Sequence, residues 1–546
     1  MPTYEEARAA FRLDVPARFN YALDVVDGWA AREPAREALV AVGPAGEHVA
    51  TLTFADLRDR SNRVANALAA HGVGKGDRLL VVLPRVPEWY DVVLGAIKLG
   101  ALPMPTTTQA TARDLAYRIR VSEASAVVVD EDAARVLEGV RDELPSLRLL
   151  VVHGAPPADG WLRLADLAAA ASDRAPGADP TAADDPMLLY FTSGTVAYPK
   201  MVLHTQASLG IGHQVTARWW HGLEPGDLHW TISDMGWAKA AWGMLFGQWQ
   251  VGCRVFLLDQ RGKPDVDLLL ALPGRYGIST MCAPPTLFRA FVQQDLTRVD
   301  TSTLRRVLSA GEPLNPEVMR AWQDGTGHAI YEGYGQTETA CLCATTPLLE
   351  VRPGSMGKPC PTYDVRILAD DGALAAPGQE GRIAVRVAPE RPVGLFREYW
   401  RDPEATAASF EGDWYLTGDR GTVDEDGYVW FVGRADDVII SASYRIGPFE
   451  VESALIEHPA VAEAAVVAKP DPARTSIVKA YVVLAPGSTA SAGLERELQE
   501  HCKRVTAPYK YPREIDFVAE LPKTISGKIR RTELRDRATA EAAGGA

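Results

Sequence analysis

The chain lacks most of what marks a membrane, secreted or nucleic-acid-binding protein. No apolar run reaches the ~20 residues needed to cross a bilayer, and the opening MPTYEEARAAF is acidic where a secretory leader would be basic. Cysteine is scarce, at positions 253, 282, 341, 343, 360 and 502, with no regular spacing. That excludes a disulfide framework and, because one residue separates Cys341 from Cys343, a zinc knuckle. Reduced thiols and a soluble, cytoplasmic protein are expected. Positive charge is in deficit, 57 Lys and Arg against 71 Asp and Glu, for a formal net charge of -14. A surface of that sign does not track a polyphosphate backbone, although one local basic pocket for a single nucleotide remains compatible with it. Neither a nucleic acid nor a membrane is expected as a partner. Two motifs are also missing. There is no Walker pattern G-x-x-x-x-G-K-[ST], and HGVGKGDRLLVV puts its glycines before a strand where a dinucleotide-binding oxidoreductase needs them after one. No internal repeat is visible.

What is present is ordinary globular sequence, 546 residues with 47% hydrophobic and 23% charged, long enough for more than one domain. FADLRDRSNRVANALAAHG has apolar residues at helical spacing and stops at Gly72, DRLLVVLP reads as a buried strand, and EWYDVVLGAIKLGALPMP repeats helix, glycine and strand. PGRYGISTMCAPPTLFRAFV and LRRVLSAGEPLNPEVMRAW continue the alternation past residue 300, which predicts α/β architecture with helices on both faces of the sheets. From about residue 360 short strands with turn signals take over. After GRADD a strand-helix-strand pattern suffices for a small α+β domain, so the expected division is 1–435 and 436–546. Two Ala/Gly/Asp-rich patches, 169–185 and the tail from 537, read as a surface loop and a frayed end.

The stretch LLYFTSGTVAYPK runs from an apolar strand into a turn where Thr192, Ser193, Gly194 and Thr195 offer hydroxyls and backbone N–H groups, with Lys200 as a nearby cation. Such a turn can cradle phosphate oxygens, or it can be a plain polar turn. Four further segments follow it in order: YEGYGQTETA (331–340), YLTGDRG (415–421), GRADDVIISASYRIGPFEVE (433–452) and LPKTISGKIRR (521–531). Together the five resemble the ANL superfamily of adenylate-forming enzymes over essentially the whole chain. DLHWTISDMGWAKAAW and YRIGPFEVE are most similar to its medium-chain acyl-CoA synthetase branch, which includes ligases for aromatic acids.

The resemblance implies a large N-terminal domain with two helix-covered sheets and a small β-barrel-like part, followed by a small mobile α+β domain. It implies that a carboxylate attacks the α-phosphate of ATP, that pyrophosphate leaves, and that the thiol of coenzyme A then displaces AMP from the acyl adenylate. The cofactors implied are ATP, Mg²⁺ and coenzyme A as substrate; a homodimer is compatible. By the same resemblance, Thr192, Ser193, Gly194 and Thr195 wrap the β- and γ-phosphates beside Lys200, Thr337 touches the α-phosphate, and Glu338 holds Mg²⁺. Gly311, Glu312 and Pro313 with Glu332, Gly333 and Tyr334 form the adenine slot. Asp419 receives the ribose hydroxyls with help from Arg434, and Lys528 faces the α-phosphate and the attacking carboxylate. Asp436 matches the hinge, while Ser443, Tyr444 and Arg445 face the thiol's path. Gly236, Trp237 and Trp242 line the acyl pocket, and Gly335, where acetate-specific relatives carry a bulky aromatic, leaves its floor open to a longer chain or a ring.

Three departures stand out. Val196 and Ala197 replace Thr-Gly in the phosphate loop, Ser443 occupies a position that is usually glycine, and Thr475-Ser476 replaces a frequent Gly-Glu. They keep open an adenylating enzyme with another acceptor: an amine, a carrier-protein thiol, or a small inorganic oxyanion as the activated group. A catalytically dead nucleotide-binding module is the third alternative, and the presence of Lys528, Glu338 and Asp419 speaks against it.

Overall fold

The computed structural model describes residues 2–544 except 193–198, 263, 442–443, 472–473, 508 and 525–527. The helix Phe54–Ala70 begins where Thr53 and Asp56 cap each other reciprocally, satisfying two N-terminal donors at once. The strand Arg78–Val82 follows, and four of its five residues are buried, as a strand covered on both faces requires. It pairs in parallel with Leu102–Pro105 and Ala126–Asp130, and Leu149–His153 and Leu162–Arg163 complete a five-stranded parallel sheet.

A second, nine-stranded sheet has at its centre the parallel strands Leu228–Thr231, Thr280–Ala283, Arg306–Ala310 and Ile330–Tyr334. One core cluster, including Trp89, Tyr90 and Trp249, all essentially inaccessible, joins elements of the two sheets. The hairpin Pro186–Phe191 and Met201–Thr205 pairs with Glu398–Tyr399 in a separate small sheet. An antiparallel sheet follows, built on Val365–Leu368, Gly381–Arg386, Trp414–Val423 and Val429–Arg434, and its strand order is open where a small barrel-like part was expected.

The last sheet belongs to the small C-terminal part. Its long hairpin Val461–Asp471 and Thr475–Leu484 is flanked by Ile439–Ser441, Tyr444–Ile446 and Glu514–Phe517, with helices Pro448–Ile456 and Ala492–Val505 packed alongside. The stretch 435–438 connects the two parts. The tail departs from the expected frayed end: the helix Arg531–Gly544 runs through it. Leu534 and Ala538 are buried against Tyr481, Ala465 and Val467, and the Glu541 carboxylate pairs with the buried Lys479 ammonium. An Ala-rich composition favours a helix once one face has a surface to cover.

Candidate active site

The polar turn after Phe191 is framed by a short ladder. Thr192 N–H donates to the Lys200 carbonyl at 2.9 Å and Lys200 N–H donates to Thr192 Oγ1 at 3.1 Å. Ser193, Gly194 and Thr195 lie outside the described residues. The Lys200 ammonium sits 4.5 Å above the Tyr399 ring, and the Tyr399 hydroxyl donates to Glu338 Oε1 at 2.8 Å. Burial pushes the Glu338 carboxyl above its usual range, against the pull of Tyr399 and of the Arg434 and Lys200 cations.

Opposite lie the carboxyl ends of the strands Arg306–Ala310 and Ile330–Tyr334, the place where open α/β sheets take their ligands. Glu312 pairs with Arg289 at 2.8 Å. Glu332 accepts from Leu314 N–H at 3.0 Å through Oε1, while its buried Oε2 has no hydrogen-bond partner among the described residues. Burial lifts its pKa to about 8. Tyr334 and Gln336 both donate to Asp419 Oδ2, at 2.7 and 2.8 Å. Asp419 faces Arg434 across the ladder, with Oδ1 3.3 Å from the guanidinium Nε and without a hydrogen bond among the described residues. One carboxylate oxygen is thus fixed by the protein and the other is left for a ligand. Thr337 is held from behind: its carbonyl is 2.7 Å from His204 Nε2, and burial lowers the His204 pKa to about 4, so the imidazole is neutral at physiological pH and Nε2 carries the donated proton.

The small domain closes this space. Thr192, Lys200, Gly311, Glu312, Pro313, Glu332, Gly333, Tyr334, Gly335, Thr337, Glu338, Asp419, Arg434, Asp436 and Lys528 all border one cleft of about 770 Å³. Lys528 is tied to Thr524: Thr524 N–H donates to the Lys528 carbonyl at 2.7 Å and Lys528 N–H donates to Thr524 Oγ1 at 3.1 Å. Three residues on, Arg531 grips Glu452 of the helix Pro448–Ile456 with contacts of 2.7 and 2.8 Å, which anchors the start of the last helix there. Desolvation in the cleft lowers the Lys528 pKa, opposed by the carboxylates of Glu312, Asp419 and Glu338. Gln336, His204, Tyr399 and Arg289 were not singled out in the sequence. Gln336 had a signal, lying inside YGQTE; the other three reach the site only through tertiary contacts.

Of the residues expected to line the acyl pocket, Gly335 borders the cleft. A Cβ at Gly335 would collide with the Trp242 indole and the Ala340 carbonyl, so the missing side chain makes room for an internal tryptophan. Gly236 permits a close approach to the backbone of Thr106 and Thr107, and neither it nor Trp237 borders the cleft. Tyr444 and Arg445 also lie away from the cleft. Tyr444 is half exposed and stacks on Tyr509 with centroids 4.2 Å apart; Arg445 pairs with Asp370 at 2.8 Å. Ser443 is outside the described residues.

A two-part chain that brings a lysine from its small domain to one cleft with Thr192, Lys200, Thr337, the buried Glu338 and an Asp-Arg pair has the constitution of an adenylate-forming enzyme. The model of the AMP-binding enzyme family matches residues 26–400, and that of the AMP-binding enzyme C-terminal domain matches 450–528. The chain is 48% identical over 531 residues to the mitochondrial acyl-coenzyme A synthetase ACSM4 of Homo sapiens, covering 96% of this chain and 91% of that one. It is 44% identical over 544 residues to mitochondrial ACSM3 of Mus musculus, covering 98% and 93%. The solved structure of the anthranilate CoA ligase AuaEII in complex with anthranoyl-AMP superposes with a TM-score of 0.89 at 31% identity, over 97% of this chain and 99% of that one. The chain therefore belongs to the AMP-binding enzyme family and, within it, to the AMP-forming acid-CoA ligases. Among the described residues no helix is long and apolar enough to cross a membrane.

Proposed function

We propose that the enzyme adenylates a medium-chain or aromatic carboxylic acid and passes the acyl group to coenzyme A, with the residues of the cleft dividing the work. The observation that carries this reading is the convergence of Lys528, Thr337, Glu338 and Asp419 on one cleft, although they come from segments far apart in the chain. In the first half-reaction a carboxylate oxygen attacks the α-phosphorus and pyrophosphate departs. Lys528 offsets the charge that gathers on the α-phosphate and the incoming carboxylate. Thr337 donates to the same phosphate from a backbone held by His204. Lys200 and the turn Thr192–Thr195 receive the β- and γ-phosphates. The free Oδ1 of Asp419 takes a ribose hydroxyl, and Glu312, Glu332 and Tyr334 border the base.

Glu338 suits a single-carboxylate Mg²⁺ site: a buried carboxylate whose pKa is raised gains from a hard cation, and no cluster of three or more acidic, His or Cys side chains competes among the described residues. Bound there, Mg²⁺ would neutralise phosphate charge. We place the hinge at Asp436, in the connection 435–438, and assign Tyr444 and Arg445 to the face that meets the thiol substrate once the small domain turns. The acyl group would lie in the part of the cleft that Gly335 borders, next to Thr337 and Glu338. The cytoplasm is the compartment that cysteine usage favours; the relatives named as mitochondrial supply the rival, and cell fractionation decides.

Incubation with Mg-ATP, coenzyme A and a panel of medium-chain and aromatic acids, read by mass spectrometry, tests the proposal. Acyl-CoA with AMP is the expected product. AMP or acyl adenylate without acyl-CoA would transfer the second step to an amine, a carrier protein or another acceptor, and no AMP with any acid would overturn the reading.

A further inference from the structure

Lys528 has no carboxylate within ion-pair distance among the described residues, so its place in the cleft depends on how the small domain is seated. Asp370 supplies one of the contacts that seat it. It stands on the tight turn Ala369–Gly372, closed by a hydrogen bond from Gly372 N–H to the Ala369 carbonyl and by the positive φ of +85° at Gly372. Its Oδ2 accepts from Arg445 of the small domain at 2.8 Å, and its Oδ1 accepts from Arg420 of the large domain at 3.1 Å. Arg420 is itself fixed, buried and donating through Nε to Glu380 at 2.6 Å. The two arginines hold the Asp370 carboxyl below its usual range, Arg445 more than Arg420.

Arg420 immediately follows Asp419 on the strand Trp414–Val423, so alternation sends the two side chains to opposite faces. The strand that presents a carboxylate to the cleft therefore also braces Asp370 on its far side. A second contact, Asn315 Nδ2 to Ser453 Oγ at 3.1 Å, joins the two domains elsewhere.

We propose that Asp370 is a positioning residue for the first half-reaction: through Arg445 it seats the small domain with Lys528 in the cleft, and it must release Arg445 when that domain turns. The proposal rests on the reading that the small domain changes orientation between half-reactions. Both side chains are about half exposed, so the contact is of the kind that biases an equilibrium rather than locks it.

The test uses the full chain and the Asp370→Asn variant. Acyl-adenylate formation, followed as pyrophosphate release without thiol, is expected to fall two- to five-fold, while transfer from a supplied acyl adenylate to coenzyme A is unchanged or faster. Asp370→Glu should restore the first rate. Asp364→Asn removes a carboxylate of the same hairpin whose partner, Arg366, lies within it, and should move neither. Spin labels on the two domains give a readout that needs no turnover: the short interdomain distance should lose population in Asp370→Asn and regain it in Asp370→Glu. An unchanged distance distribution, or an equal loss of both half-reactions, overturns the proposal. A shifted distribution in a protein that forms no acyl adenylate from any acid would support the seating role while the reading of the activity failed.

Discussion

Single residues in the cleft make separable predictions. Glu332 keeps its proton in the folded chain up to about pH 8, whereas an ordinary glutamate titrates near 4.5. Between those values the unfolded chain loses a proton that the folded chain retains, so this residue lowers stability as pH rises through that window and adds no further change above it. Glu332→Gln mimics the protonated form and keeps an acceptor for Leu314 N–H. Melting curves should show equal Tm for variant and parent near pH 4.5 and a variant that melts roughly a few degrees higher at pH 8.5. Lys528→Ala should abolish adenylation while leaving transfer from a supplied acyl adenylate intact, read by pyrophosphate release and acyl-CoA formation in separate assays. An equal loss of both would remove Lys528 from its role. His204 marks the limit of reading residues in sequence: its contact with Thr337 spans 133 positions and follows from no motif.

Elements carry a different lesson. Helices and buried strands were legible where pattern and cap agreed, as in Phe54–Ala70, because the side chains that satisfy the first turn are its immediate neighbours. The last helix was not legible, because its apolar face is defined by Tyr481 and Val467 on another element. The surroundings of Gly335 were not legible for a related reason: the space beside it is taken by Trp242, and which group enters a vacancy is decided by packing. Thr475 opens the strand Thr475–Leu484 with a φ of +69°, in the region that glycine adopts freely and β-branched residues resist. Thr475→Gly should therefore stabilise the small domain by about 0.5–1 kcal/mol, the left-handed penalty less the entropy of a glycine. Denaturant unfolding monitored by a probe within that domain checks it.

At the scale of the whole molecule, the site exists only because two domains meet. The five ordered segments announced both halves, yet their order in sequence says nothing of how Asp370, Arg420 and Arg445 oppose one another. Asp436 lies two residues after Arg434, and its carbonyl accepts from Arg535 of the last helix, so the connection is tied to the small domain while its residues border the cleft. Asp436→Pro, which fixes φ at that point, should leave pyrophosphate release near the parental rate and reduce acyl-CoA formation by more than ten-fold. Comparable loss in both would place the pivot elsewhere.

The six cysteines have a practical bearing on that motion. All are unpaired and buried, and burial raises the thiols of Cys253, Cys282, Cys343, Cys360 and Cys502 above their usual range. A maleimide or methanethiosulfonate reagent needs an accessible thiolate. Cysteines introduced on the surface of each domain would therefore be modified selectively in the folded enzyme, and the interdomain distance could be followed without first stripping the native thiols from the chain.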